Sequence, residues 1–184
     1  MKRTWILFLA LCLTLFVSGC TQSAHDAPST DAVPQAESVS YTFDDPDRAV
    51  KFRIEYPEGW TLTELKGYDG DATREASPTT GIQFTFFEDE EELLNILATS
   101  FFSFEVDESL FESTPFETDA GLAGVKYRRD LDGRVLAYYI FGDGETLPQY
   151  FAAINMRQEN YESVKDDIEA VMKTFVILPA EQNP

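Results

Sequence analysis

Histidine and cysteine are nearly missing from this sequence: His25 is the single imidazole, and Cys12 and Cys20 are the only thiols in 184 residues. All three precede the part of the chain that patterns as folded. A Ser-His-Asp triad, a Cys-His pair or a His-based zinc site is therefore excluded from that part. Positive charge is scarce too, with 14 Lys and Arg against 33 Asp and Glu and a formal net charge of −19. Nucleic-acid affinity rests on cations neutralising phosphate, so no nucleic-acid partner is expected, and an anionic lipid surface would repel the chain. A phosphate-binding G-x-x-x-x-G-K-S/T loop and a dinucleotide fingerprint are both absent. A carboxylate pair or a Ser-Lys dyad stays arithmetically available. Among so many acids, however, some pair always falls close, which gives glycosidase chemistry no specific support. The chain is expected to be no enzyme, with no catalytic residue, no metal ligand set and no cofactor.

What is present begins at the N-terminus. Lys2 and Arg3 precede an uncharged run from Trp5 to Val17, which is too short for a permanent span of about 20 apolar residues and reads as a secretory signal. The run closes on Val17, Ser18, Gly19 and Cys20. These four residues resemble a bacterial lipobox, the pattern read by the lipoprotein-processing machinery. The resemblance implies a diacylglycerol thioether on Cys20, cleavage between Gly19 and Cys20, and often a third acyl chain on the new amino group. Two acyl chains suffice for stable anchoring, each buried CH₂ contributing about 0.8 kcal/mol. Loss of residues 1–19 removes Lys2 and Arg3 and no carboxylate, so the formal charge moves from −19 to −21. With Cys12 discarded and Cys20 acylated, no disulfide within one mature chain is possible, and stability must come from an ordinary core.

Residues 20–40 carry the lipidated Cys20 and then a stretch poor in large apolar groups and rich in Ser, Ala, Pro and acids. That composition predicts a disordered tether, with an r.m.s. span of about 25 Å. His25 falls in it, where a lone imidazole is incidental. Residues 41–178 suit one domain, and residues 179–184 form a C-terminal tail.

Within that domain, Val50, Phe52, Ile54 and Tyr56 alternate with Lys51, Arg53 and Glu55, the period of a half-buried strand. The turn residues Asp44 to Asp47 let Val39–Phe43 pair as a preceding strand. Pro57, Glu58 and Gly59 end the second strand, and Trp60 is expected to fold back onto the core. Ile82, Phe84 and Phe86 alternate again. The acidic run Glu88 to Glu92 could supply carboxylate oxygens to a calcium-like cation. Asp89 and Glu92 also match a capping box, and Leu93, Leu94, Leu97, Ala98 and Phe101 follow at helical spacing, which predicts a helix from about Glu90 to Phe102. Phe101, Phe102, Phe104 and Phe111 are expected in the core or covering a sheet edge. The acidic turns at Asp69–Asp71 and Asp143–Glu145 lack the ligand spacing of an EF-hand.

The second half reads as a meander. Leu122 to Asp130 alternates, Asp132-Gly133 is a hairpin turn, Val135–Phe141 is apolar on both faces as in a central strand, and a strand follows around Gln149–Met156. Tyr161, Val164, Ile168, Val171, Met172 and Phe175 then mark a closing amphipathic helix, with Asn160 as its cap and Pro179 beyond it. The expected class is α+β: a mostly antiparallel twisted sheet of about six strands packed with two main helices.

Phe52-x-Ile54-x-Tyr56-Pro57-Glu58-Gly59-Trp60, then Gly121-Leu122-Ala123-Gly124, then a final helix ending in Thr174-Phe175-Val176 resemble the PsbP/DcrB-like group of α-β-α sandwich domains. The resemblance covers most of residues 41–178. It implies an accessory or binding role without catalysis, and it carries no functional residue over, because the shared positions are turns, core residues and strand ends.

The densest positive cluster, Lys126, Arg128, Arg129 and Arg134, surrounds the Asp132-Gly133 turn. Charge compensation among neighbouring acids accounts for such a cluster; as a site, it is a docking patch for an acidic partner. The function expected from the sequence is an extracytoplasmic lipoprotein, held by the lipid on Cys20 to a bacterial cell membrane. It would act as a binding or accessory module for another envelope protein. A small-ligand or divalent-cation-binding lipoprotein, using the acidic loops at Asp69–Asp71 and Glu88–Glu92, is the alternative.

Overall fold

The computed structural model describes residues 37–66, 79–87, 92–100, 103–142 and 146–179, all within one compact unit, Ala36–Pro184. The signal segment, Val17 to Cys20, most of the tether, the loops at Asp69–Asp71 and Asp143–Glu145, the acids Glu88 to Glu91, Phe101 and Phe102 lie outside the described residues. No helix among the described residues is long and apolar enough to cross a membrane.

The first two strands follow the alternation in the sequence. β1 (Ser38–Asp45) and β2 (Val50–Pro57) pair antiparallel with Phe43 opposite Phe52, and the acidic turn between them is a 3-10 turn over Pro46–Arg48. β1 starts at Ser38, inside the stretch expected to be tether. The Trp60 N–H bonds the Pro57 carbonyl at 3.0 Å, and the indole packs edge-on against Phe84 and Phe86. β3 (Thr61–Leu65), β4 (Thr79–Thr85) and β5 (Leu93–Thr99) then form one antiparallel run. β6 (Glu112–Glu117), β7 (Ala123–Leu131), β8 (Arg134–Phe141) and β9 (Gln149–Arg157) form the expected meander. Asp132 and Gly133 join β7 to β8, both at positive φ (51° and 75°), as a two-residue hairpin turn requires.

β5 pairs with β9, which fuses the two runs into one seven-stranded sheet of order β3-β4-β5-β9-β8-β7-β6. After β9 the chain forms α1 (Gln158–Lys173) and then β10 (Val176–Ile177), which returns to pair with β2 and completes a sheet of order β1-β2-β10. The small sheet and α1 share one face of the large sheet. Between them Phe175 stacks on Phe141 at 4.3 Å and leans on Phe52 at 5.3 Å, with Tyr150 closing the group. Along α1, Tyr161, Ile168, Val171 and Met172 supply the buried stripe.

The fold is α+β and mostly antiparallel, but its details correct the expected ones. The described residues hold ten strands in two sheets and one α-helix, where about six strands and two helices were expected. The helix expected from about Glu90 to Phe102 is instead strand β5 over Leu93–Thr99. Leu94, Ile96 and Ala98 alternate into the core, while Leu93 and Leu97 lie half-buried on the other face. An apolar strand with both faces occupied satisfies helical spacing by coincidence, and Ile96, which the helical stripe leaves out, carries the period of two. Glu92 accordingly caps no helix of its own. α1 begins at Gln158 with Arg157 before it, so Asn160 lies inside its first turn.

Because β5 sits mid-sheet and β6 at the far edge, the connection between them must cross β9, β8 and β7. Residues 103–111 do so on the face away from α1. Phe104 stacks on Phe151 at 4.4 Å, Phe111 meets Tyr138 at 5.6 Å, and the buried Gln149 side chain exchanges hydrogen bonds with the Phe104 backbone. Phe104 and Phe111 thus cover the face of the central strands β9 and β8, where the core or a sheet edge was expected.

Candidate functional site

Strand alternation divides the positive cluster. Lys126 and Arg128 project toward α1, while Arg129, like Tyr127, points to the opposite face of β7. Lys126 Nζ bonds Glu169 at 2.8 Å and lies 5.3 Å from the Tyr139 ring centre; burial works against its charge, but the Glu169 hydrogen bond together with the neighbouring Tyr139 and Tyr161 raises its pKa. Arg128 forms a forked pair with Asp130 at 3.0 and 3.2 Å, reaches Glu162 at 3.2 Å and covers the Tyr161 ring. Arg134 bonds Asn155 at 2.8 Å and stands 3.8 Å from Glu92. These three cations are neutralised where they stand.

Arg129 differs. Its side chain is half-buried and makes no hydrogen bond or ion pair among the described residues. Its charge acts on Asp107, whose carboxyl is held below its usual pKa first by the Ser109 hydroxyl and backbone N–H, with the Arg129 charge adding to the effect. Asp107 accepts those two bonds at 2.6 and 3.1 Å and starts a 3-10 turn over Glu108–Leu110. The Tyr127 hydroxyl donates to Glu108 at 2.9 Å, so the turn is tied to the same strand that carries Arg129. Leu110 and Phe111 then form a lip ahead of β6. Between that lip and β7 opens a cleft of about 690 Å³, lined by Ser109 to Glu112 and Arg128 to Asp130. The structure therefore brings Arg128 and Arg129 to one cleft and leaves Lys126 and Arg134 out of it.

Two smaller hollows flank the sheet. One of about 410 Å³ lies beside Phe141, Leu147, Tyr150 and Ile177, and one of about 380 Å³ lies under the crossing strap beside Val106, Val125 and Ile140. Among the described residues no group of three or more acidic, His or Cys side chains is placed to hold a metal ion. Of the acidic loops singled out in the sequence, only Glu92 is described, and it is occupied. Fully buried, it accepts the backbone N–H and the Nε–H of Arg157. No sequence pattern signals this pairing, because it joins residues far apart in the chain through the pairing of β5 with β9.

No known protein family matches the sequence, and no curated protein does. Among solved structures the chain is similar to the solution structure of cyanobacterial PsbP (CyanoP) from Synechocystis sp. PCC 6803. The TM-score is 0.48 and the identity 14%, over 82% of this chain and 98% of that one.

Proposed function

We propose that this chain is a membrane-anchored extracytoplasmic lipoprotein whose α+β domain acts as a binding or accessory module, without catalysis, for another component of the cell envelope. The observation that carries the binding role is Arg129, a guanidinium left without a direct partner on the wall of an open cleft in a chain of net charge −19. Its three neighbouring cations are consumed by acids of the domain itself. An unpaired arginine beside exposed apolar groups is a common composition for a protein docking point. The anchor rests on the lipobox resemblance of Val17 to Cys20, and the tether gives the domain a short reach from the bilayer. The PsbP/DcrB-like resemblance of the domain accords with an accessory role.

Two experiments test the proposal. Cys20→Ser should leave the precursor uncleaved or release the protein from membranes; a variant that fractionates and migrates as wild type contradicts the anchor. Photo-crosslinking in cells from position 110 should recover one dominant envelope protein, and recovery of abundant background proteins alone contradicts the binding role.

A further inference from the structure

We propose that the Arg129 cleft takes a single carboxylate carried next to a large apolar side chain on a short segment of the partner polypeptide. The inference rests on the binding role proposed above and names the chemistry that role would use. A guanidinium presents a planar fork that matches a carboxylate through two parallel hydrogen bonds. Only one such fork is free here, and acids surround it: Glu112 and Asp130 line the cleft, and Asp107 and Glu108 stand just behind it. A doubly charged phosphate would meet those carboxylates at close range, whereas one carboxylate is matched by one arginine. The net charge of −19 acts in the same direction at longer range, since it opposes the approach of an acidic run more strongly than that of a single anion.

The walls specify the rest of the ligand. Leu110 is 48% exposed at the lip, Phe111 is half-buried beside it, and Leu131, 40% exposed, lies two residues beyond Arg129 on the same face of β7. Leu136, directly opposite Arg129 on β8, is half-buried. The two exposed leucines are half of the large apolar side chains that the described residues expose, so exposed apolar surface concentrates beside Arg129. A cleft of about 690 Å³ accommodates a few residues of chain. Strand addition along the neighbouring edge does not compete. β6 carries Pro115, which has no N–H to offer, and begins and ends with the charged Glu112 and Glu117, the features that close an edge to pairing. Recognition therefore falls to the carboxylate and its apolar neighbour.

The test is an NMR titration of the full chain in detergent, observing the Arg129 Nε–H and the Leu110 and Leu131 methyl groups. The probes are acetyl-Ala-Ala-Leu with a free C-terminus, the same peptide as its amide, acetyl-Ala-Glu-Leu-Ala-amide, octanoate and inorganic phosphate. At least one of the two carboxylate peptides should shift these signals saturably, and which one does so separates a terminal from a side-chain source. The amide of the first peptide should bind at least tenfold more weakly than its acid if the terminal carboxylate is the source. Arg129→Gln should weaken the responding peptide at least tenfold, with the remaining spectrum unchanged, while Arg53→Gln on the exposed face of β2 should leave binding as it is. The proposal is overturned if neither carboxylate peptide binds, if phosphate or octanoate binds more tightly than both, or if Arg129→Gln has no effect. Should the peptides fail while crosslinking from position 110 still captures an Arg129-dependent partner, the ligand chemistry falls and the binding role stands.

Discussion

Glu92 and Arg157 hold each other across 65 residues of chain: both oxygens of the buried Glu92 carboxylate accept the Arg157 backbone N–H, at 3.1 and 2.9 Å, and the Arg157 Nε–H is 3.0 Å from Oε1. Arg157 directly precedes α1, so the carboxylate also faces the positive end of the helix dipole. The pair fastens the entry to β5 onto the junction of β9 and α1. Glu92→Ala leaves that N–H and guanidinium without their acceptor. Because Arg157 is itself half-exposed, the expected loss is about 2 kcal/mol, read as a lower urea midpoint at unchanged slope.

Much of the fold was legible because its strands alternate cleanly. β2, β4, β7 and β8, the Asp132-Gly133 turn and the stripe of α1 all carry their period in the residues themselves. β3 and β6 did not, because edge strands bury few side chains; in β6 only Phe116 is buried. β5 carried a misleading period, since apolar residues occupy both of its faces. Of the site, the charge cluster was legible and its division was not. Adjacent arginines on a strand must point to opposite faces, but which of them meets the acids of α1 is decided by the packing of a helix that begins 29 residues after Arg129.

Phe175 occupies the junction of the two sheets, fully buried among Phe52, Phe141 and Tyr150. Phe175→Ala should cost about 3–5 kcal/mol, the range for a large aromatic removed from a close-packed core. Calorimetry or urea denaturation reads it, and Phe175→Leu should recover most of the loss by restoring volume.

Tyr139 carries a buried hydroxyl without a hydrogen-bond partner among the described residues. Burial pushes its pKa up to about 12 from the ordinary 10.0, the Lys126 charge working in the opposite direction. Between these values the unfolded chain gives up a proton that the folded chain keeps. Stability from this residue is therefore full below pH 10 and declines as pH rises toward 12. Tyr139→Phe should flatten that part of the stability-against-pH curve.

Arg128 and Arg129 are adjacent in sequence and opposite in role, which gives the binding account its sharpest test. Crosslinking in cells from position 110 would be compared for wild type, Arg128→Glu and Arg129→Glu at matched abundance, with thermal denaturation of each purified chain. Arg129→Glu should reduce the dominant crosslink at least tenfold with little change in melting temperature. Arg128→Glu, which breaks the Asp130 and Glu162 pairs, should lower the melting temperature and affect the crosslink less. Equal crosslinking by wild type and Arg129→Glu would contradict the claim that the domain docks its partner through this cleft.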